Sequence, residues 1–272
     1  DSIAVYPPYN LSDIMHDKII ECSTQPALSL KTKGLINIQF LVFHNELYVI
    51  EVNPRASRTI PYISKVTGVP MVELATKIMV GAKLKKLGYG TGLYKSSPYV
   101  AVKVPVFSFE KLNDVNSQLG PEMKSTGEVL GIGKTIEEAL FKGLVSAGFK
   151  LCHPTKQKHA GVYFTANDQD KYEILGLAKK FSDLGLNIYA TKGTADTIRT
   201  LGIDVTTVDR LSESEAIFNL MDEEKIDYIV YTGKTDMATI NDYIRMYHHA
   251  ILLGITTLTS LDTANALADI IA

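Results

Sequence analysis

Apolar and polar positions follow two different patterns along the chain. From Ala160 onward, short apolar segments such as GVYFTA, NIYAT, IDVTTV and DYIVYT are separated by longer stretches with apolar residues three and four positions apart. The short segments are typical of buried strands, and the longer stretches are typical of amphipathic helices. This alternation predicts an α/β fold, a small doubly wound parallel sheet with helices on both faces. The predicted helices cover 170–184, a short segment after Thr194, 214–224, 239–249 and a segment from Asp262.

The first half of the chain mixes helices with antiparallel strands, which predicts an α+β portion. A helix is expected from Leu11 to Thr32, capped by Ser12 and stopped at Gly34. Pro26 should kink or split that helix. The remaining predicted elements are a hairpin over 36–56, a helix over 64–81, a strand over 99–109 and a helix over 135–150.

The hairpin carries polar side chains on otherwise apolar strands. Gln39 lies on its first strand, and Glu51, Asn53 and Arg55 stand two apart on its second. Successive strand residues point to opposite faces, so the last three share one face, and the turn at 44–45 brings Gln39 back toward them. By the same alternation Leu47 and Val49 belong to the face of Glu51, so an apolar row would end where the polar cluster begins.

One carboxylate with two amide oxygens suits Mg²⁺ or Mn²⁺, particularly when phosphate oxygens complete the coordination shell. Arg55 offers a planar set of donors for a phosphate or carboxylate beside the metal. The alternative is an amphipathic hairpin whose polar residues merely face water. Arg58 follows closely and is either a second phosphate contact or an exposed loop arginine.

A second candidate site lies in the predicted parallel sheet. Ligands bind at the carboxyl ends of such strands, beside helix N-termini that favour anions. Thr191, Gly193 and Thr194 occupy a strand-to-helix turn of this kind, and Lys171 and Arg210 are expected on the same rim. Ordinary turn chemistry is the alternative interpretation.

Composition narrows the possible partners. The net charge is -2, the pI is about 6.3 and 46% of the residues are apolar, which gives no basic excess for a nucleic-acid surface. No apolar run approaches the roughly 18 residues of a membrane span. Cys22 and Cys152 are too few for a disulfide framework and are expected to be buried. We expect a cytoplasmic protein without nucleic-acid or membrane partners.

The segments IQF, IEVNPRASRT and SKVTGVP resemble the metal-binding segment of the ATP-grasp ligases. Their residue-by-residue sequence is close to that of the carbamoyl-phosphate synthetase large subunits. The resemblance implies that Gln39, Glu51 and Asn53 hold the divalent ions bridging the ATP phosphates and that Arg55 contacts phosphate. The stretch PEMKSTGEVLGIG resembles the same ATP-grasp unit. The resemblance therefore implies ATP and Mg²⁺ or Mn²⁺ as cofactors.

The second half resembles the methylglyoxal-synthase-like domain of those subunits, where nucleotide effectors bind. TKGTA matches its phosphate-binding turn at Thr191, Gly193 and Thr194, and Lys171 and Arg210 match its basic effector contacts. UMP or IMP is therefore the implied effector. One departure is Tyr231-Thr232-Gly233, which stands where relatives often have asparagine and threonine, so the effector's identity stays open.

The resemblance implies two parts, a C-terminal portion of an ATP-grasp domain over 1–155 and a regulatory domain over 156–272, divided near the polar segment His153–Lys158. The implied activity is ATP-dependent phosphorylation of carbamate, with the upstream part of the same subunit and a glutaminase small subunit as partners. The chain opens without methionine and is expected to be a fragment that is inactive alone. It belongs to either pyrimidine or arginine synthesis.

Two alternatives remain at this point. A stand-alone nucleotide-sensing module would use the second half and leave the first as a docking surface. A different ATP-grasp ligase, such as a carboxylase, would explain the hairpin but not the βα tail. Methylglyoxal synthase chemistry is rejected, because His248 and His249 are adjacent on one predicted helix and point about 100° apart.

Overall fold

The computed structural model describes residues 1–109, 120, 122–151, 160–233 and 237–272, of which 237–240 are described by their backbone alone. These residues form two compact units. The first unit is Ala4–Lys103, and the second unit is Asp1–Ile3 together with Val104–Ala272. The predicted division near His153–Lys158 falls on residues outside the described ranges, as does Cys152, so the 1–155 and 156–272 boundaries stay a prediction.

The first unit combines three helices with a hairpin and a short strand pair. Its elements are β1 (Ala4–Tyr6), α1 (Asp13–Ser29), β2 (Asn37–Phe43), β3 (Glu46–Asn53), α2 (Thr59–Thr67), α3 (Met71–Met79) and the beginning of β4 (Val100–Val106). β1 pairs antiparallel with β4, and β2 pairs antiparallel with β3. Cys22 is a half-buried free thiol in α1, so its predicted full burial is wrong.

Two helix predictions in this unit need correction. The Ser12 hydroxyl caps α1 by accepting from the Met15 amide, and the helix continues through Pro26 to Ser29, so it is not split. Pro26 lies in the last turn, where losing one hydrogen bond disrupts little of the helix. The single helix predicted over 64–81 is two helices, because Gly68 adopts a φ of 71° and Pro70 cannot donate an amide hydrogen bond.

The second unit confirms the predicted α/β fold. After β5 (Gly127–Gly133) and α4 (Ile136–Ser146), five strands form an all-parallel sheet of order β10-β9-β6-β7-β8. Its elements are β6 (Gly161–Ala166), α5 (Lys171–Asp183), β7 (Asn187–Ala190), α6 (Lys192–Arg199), β8 (Val205–Thr207), α7 (Ala216–Asp222), β9 (Tyr228–Thr232), α8 (Met237–Leu253), β10 (Thr256–Leu258) and α9 (Leu261–Ile271).

Helices cover both faces of this sheet, as predicted. Tyr163 and Ile229 belong to a buried cluster with residues of α7 and α8, including Ile217 and Met246. On the other face Phe164 meets Phe181 of α5 with ring centroids 6.0 Å apart, and Phe181 meets Tyr228 at 5.9 Å. α6 begins at Lys192 rather than after Thr194, because Thr191 already has the extended backbone of an N-cap. The turn after β7 is therefore the first turn of a helix.

Candidate metal and phosphate sites

The register of the hairpin places the predicted metal-binding residues on one face. His44 and Asn45 form the turn with φ values of 49° and 61°, the left-handed geometry of a two-residue hairpin loop. Gln39 lies directly opposite Glu51, and Asn37 lies opposite Asn53. Since residues paired across an antiparallel ladder share a face, these four side chains form one polar surface. Sequence reasoning missed Asn37.

A bulge corrects one part of the prediction. Gln39 pairs with Glu51 but Phe40 pairs with Val49, so Ile50 is an extra residue on β3. A bulge residue shifts the alternation of faces. Val49, and with it Leu47, therefore lies on the face opposite to Glu51, and the predicted apolar row leading to the polar cluster is wrong.

Hydrogen bonds join three of the predicted residues into a row. The Asn53 amide nitrogen donates to Glu51 Oε1 at 2.8 Å, and Arg55 Nη2 donates to Asn53 Oδ1 at 3.4 Å. The Arg55 Nη1 donates to the Ala56 carbonyl oxygen at 3.0 Å. Gln39, Glu51 and Arg55 are exposed, so their polar groups are accessible. Arg58 immediately precedes α2 and is also exposed.

The donor set fits a hard divalent cation that brings its own phosphate ligands. In the described part of the chain, no three His, Cys, Asp or Glu side chains converge. The hairpin offers one carboxylate, from Glu51, and the amide oxygens of Gln39 and Asn53. Such a set resembles Mg²⁺ sites that use one or two carboxylates and substrate phosphates rather than an all-protein cage. The residues therefore fit the implied metal.

In the second unit, a cavity of about 240 Å³ opens at the carboxyl ends of the central strands. Asn167 and Asp168 follow β6, Thr191 follows β7, and Gly233 follows β9, and all of them line it. Arg210 lines the same cavity. Two of the predicted phosphate contacts, Thr191 and Arg210, therefore share one pocket.

The turn after β7 is held by buried hydroxyl groups. Thr191 Oγ1 donates to Thr194 Oγ1 at 3.3 Å, and the Ala166 amide at the end of β6 donates to the same Thr194 oxygen at 3.3 Å. Thr194 is 1% exposed. Thr194 therefore links α6 to β6, whereas Thr191 reaches the cavity.

Lys171 and Gly193 are also brought together. A Cβ atom at Gly193 would lie 3.3 Å from Lys171 Nζ, so the glycine leaves room for the ammonium group over the first turn of α6. Lys171 Nζ forms an ion pair with Asp168 Oδ1 at 2.7 Å, and Asp168 lines the cavity. All five predicted effector contacts thus lie around one turn and one cavity.

Several cavity residues were not predicted. Asn167 closes the loop after β6, since its amide nitrogen donates to Asp170 Oδ2 at 2.6 Å and to the Thr232 carbonyl oxygen at 2.8 Å. Its position directly after a strand was a usable signal. Asp242 lines the cavity from α8 and accepts from the Ser212 amide at 3.1 Å. No local pattern marks Asp242, because only folding brings α8 over the strand ends.

Buried tyrosines form part of the cavity lining. Burial raises the pKa of Tyr163, and nearby Asp242 raises it further. Burial likewise raises the pKa of Tyr243. Both phenols therefore stay protonated even in alkaline solution and can donate hydrogen bonds.

His249 is a packing residue away from the cavity lining. Its Nε2 lies 2.7 Å from Asp222 Oδ1, and its ring lies 4.6 Å from the Phe218 ring. These contacts join α7 to α8.

Two family models match separate parts of the chain. The model described as "Carbamoyl-phosphate synthase L chain, ATP binding domain" matches residues 1–87, and the model described as "MGS-like domain" matches residues 173–259. Within the described ranges, no helix has the length and apolar character needed to cross a membrane.

Sequence relatives extend the match to almost the whole chain. Carbamoyl phosphate synthase large chains of Lachnoclostridium phytofermentans and Clostridium perfringens are each 48% identical to it, over 98% and 99% of its length and 25% of theirs. Among solved structures, the biotin carboxylase domain of a single-chain bacterial carboxylase aligns at 24% identity with a TM-score of 0.36, over 39% of this chain and 25% of that chain. The 48% identity to the synthase chains confirms the predicted resemblance, and the chain is homologous to a quarter-length part of the carbamoyl phosphate synthase large chain.

Proposed function

We propose that the first unit takes part in the ATP-dependent phosphorylation of carbamate, as part of a carbamoyl phosphate synthase. The observation that carries this proposal is the hairpin register, in which Gln39 opposes Glu51 and Asn53 lies beside them. The 48% identity to synthase large chains supports it. The rest of the same subunit and a glutaminase small subunit are the proposed partners, and an ATP-consuming ligase of this kind would act in the cytoplasm.

The hairpin residues have separate roles in this proposal. Glu51, Gln39 and Asn53 hold Mg²⁺ or Mn²⁺, which when bound neutralises the charge on the ATP phosphates. Arg55 and Arg58 orient the phosphate groups, since a guanidinium provides paired donors to phosphate oxygens. Positioning and charge stabilisation provide most of the catalysis in phosphoryl transfer. Asn53 keeps the Glu51 carboxylate oriented through its 2.8 Å hydrogen bond.

Metal binding in the presence of ATP tests the hairpin. We expect Glu51→Gln to weaken binding of Mn²⁺ to the protein about tenfold or more, measured by water-proton relaxation, which distinguishes protein-bound Mn²⁺ from the small Mn²⁺–ATP complex. Glu46→Gln is the matched control, because Glu46 lies beside the hairpin turn on the same strand. Equal binding by the unchanged chain and the Glu51→Gln variant would refute the metal site.

We also propose that the second unit binds a nucleotide effector, with UMP and IMP as the first candidates. The cavity at the ends of β6, β7 and β9 supports this, because Thr191 and Arg210 line it and the Lys171 ammonium group lies over the turn that follows β7. A helix N-terminus and two cations favour a phosphate group. The effector would report nucleotide levels to the synthase.

Calorimetric titration tests effector binding. We expect Arg210→Gln to weaken UMP or IMP binding by about 1 to 3 kcal/mol, the usual effect of losing a charged hydrogen-bond donor. Arg199→Gln is the matched control, since the Arg199 guanidinium already donates hydrogen bonds to Asp196 and to the Val205 carbonyl oxygen. Identical affinities for the two variants would contradict the proposed phosphate contact.

A second candidate function is nucleotide sensing without catalysis. It is favoured by the location of the cavity, whose lining residues all belong to the second unit. The two candidates differ in the metal experiment above. Effector binding together with an absence of Mn²⁺ binding that depends on Glu51 would favour the sensing module.

A further inference from the structure

We propose that the Tyr231 ring stacks against a flat heteroaromatic ring of the effector, with the buried Tyr243 ring packed behind it; the two rings are here called the tyrosine wall. The cavity would then select nucleoside monophosphates over sugar phosphates of the same charge. This inference rests on the effector binding proposed above and adds the group that sets its specificity. Both rings line the cavity, Tyr231 at the end of β9 and Tyr243 on α8.

The wall stands at a suitable distance from the phosphate turn. In the sheet β6 lies between β7 and β9, so the turn after β7 and the wall after β9 are two strands apart. Two strand spacings amount to about 10 Å. A ligand that places its phosphate at Thr191 must therefore extend past β6 before reaching Tyr231. A sugar is a spacer of suitable size for that gap.

The size of the cavity limits the ligand. Its volume of about 240 Å³ is slightly below that of typical pockets for small molecules, which are roughly 300 to 1,000 Å³. A second and third phosphate would also approach the carboxylates of Asp168 and Asp242. Both considerations favour a monophosphate with one ring system.

The tyrosine wall is ordered before a ligand arrives. The ring centroids of Tyr231 and Tyr243 are 4.5 Å apart, and Tyr243 stacks on Tyr247 at 5.5 Å with 16° between the ring planes. Tyr243 is 4% exposed, whereas Tyr231 is half-buried. Rigid aromatic surfaces lose little conformational freedom on binding. A base stacked on them would therefore gain affinity at a small entropic cost.

Gly233 supports the position of the wall. A Cβ atom at residue 233 would overlap the hydroxyl and ring carbons of Tyr231. The absence of a side chain at this residue therefore allows the Tyr231 ring to lie against the backbone at the cavity rim. Tyr231 and Gly233 act as a matched pair, which predicts that Gly233→Ala displaces the ring.

Binding of three probes by the 272-residue chain tests the proposal. IMP and UMP carry a base, whereas ribose 5-phosphate carries the same phosphate and sugar without one. Stacking of a base on an aromatic side chain is commonly worth about a tenfold change in affinity or more. We expect IMP or UMP to bind at least tenfold more tightly than ribose 5-phosphate. Tyr231→Ala should remove that advantage and leave the affinity for ribose 5-phosphate unchanged.

Tyr172→Ala is the matched control, because Tyr172 is 84% exposed on α5. Equal binding of ribose 5-phosphate and the nucleotides to the unchanged chain would overturn the tyrosine wall but retain the phosphate site. A Tyr231→Ala variant that weakens all three probes equally would also overturn it. If none of the three binds, the effector site itself is refuted and this inference with it.

A fluorescent variant provides a second readout that does not depend on a truncated side chain. The chain contains no tryptophan, so Tyr231→Trp introduces a single reporter at the cavity. Stacking of a base should quench its emission, and ribose 5-phosphate should leave it unchanged. Emission that responds identically to IMP and to ribose 5-phosphate would contradict stacking at this position.

Discussion

At the scale of single residues, a glycine on β5 allows the backbone of α4 to approach that strand closely. A Cβ atom at Gly131 would overlap the Ala139 carbonyl oxygen and the Gly143 amide nitrogen, which are both backbone atoms of α4. Backbone atoms cannot rotate away as a side-chain end can. Gly131 is therefore required by packing.

Gly131→Ala should lower the free energy of unfolding by about 1 to 3 kcal/mol, the range for overpacked cores. Gly176→Ala is the matched control, because Gly176 lies on the exposed face of α5 with no atom within 4 Å of the new Cβ. That control should raise stability by about 0.5 to 1 kcal/mol, since glycine weakens a helix interior. Urea unfolding measures both, and two changes of the same sign would refute this account.

Tyr62 provides a second prediction at this scale, based on pH. It is 8% exposed and its hydroxyl donates to the Ala101 carbonyl oxygen at 2.8 Å. Burial, and then the nearby Tyr6, raise the pKa of Tyr62 from 10.0 to about 12. A raised pKa stabilises the folded state below the unfolded pKa, and that contribution is lost as pH rises through the folded value.

The unchanged chain should therefore lose stability between about pH 10 and pH 12. Tyr62→Phe should cost about 1 kcal/mol at neutral pH through the lost hydrogen bond, and its unfolding should be less sensitive to pH in that window. Chemical unfolding at a series of pH values measures both effects. Equal slopes against pH for the two proteins would show that Tyr62 is not the responsible group.

At the scale of elements, capping determines where the helices begin. Thr135 caps α4 by accepting from the Glu138 amide at 3.2 Å, and Glu138 reaches back to accept from the Lys134 amide at 2.7 Å. Glu138 also pairs with Lys142 one turn later at 2.7 Å. The hydrogen bond to Lys142, and then the one to the Lys134 backbone, lower the pKa of Glu138. This arrangement resembles the capping box.

Thr135→Ala should lower the free energy of unfolding by about 1 kcal/mol, the typical cost of losing an N-cap. A lowered pKa means that the contribution of Glu138 is present above the unfolded value and is lost as pH falls through the folded value. Hydrogen-exchange protection at the start of α4 should therefore decrease on acidification. Glu138→Gln should abolish that dependence, and a dependence that persists in the variant would contradict it.

At the scale of the whole molecule, the hairpin leaves large apolar side chains in contact with solvent. Phe43, Tyr48 and Ile50 are each at least half exposed. The relatives that the chain matches are four times as long, since it covers 25% of them. Exposed apolar side chains of this size are typical of a surface that packs against another part of a protein.

The 272-residue chain alone should form no carbamoyl phosphate from ATP, bicarbonate and ammonia. The resemblance implies that the glycine-rich lid and the adenine-binding strands belong to other parts of the subunit, so ATP cannot be positioned for transfer. Conversion of labelled bicarbonate, with a full-length relative as the positive control, measures the activity. Product above the background of a Glu51→Gln variant would refute the prediction.

The fold, and those site residues that lie in a recognisable strand or turn, were predictable because local patterns carry them. Period-two and period-3.6 alternation predicted the parallel sheet, and the 44–45 turn predicted that Gln39 would meet Glu51. The bulge at Ile50 was not predictable, because the continuous apolar run 47–50 does not show at which residue the alternation of faces shifts. Gly68 and Pro70 separate α2 from α3. Their effect was overlooked because the apolar residues continue at helical spacing on both sides of them.

The sequence by itself determined most element types, their order along the chain, and the polar residues of the hairpin and of the turn after β7, because these depend on contacts a few positions apart. Only the tertiary structure decided which distant groups meet. Asp242 and Tyr243 reach the cavity from α8, and Gly233 makes room for Tyr231. Those contacts depend on how α8 packs on the sheet, which no local pattern encodes.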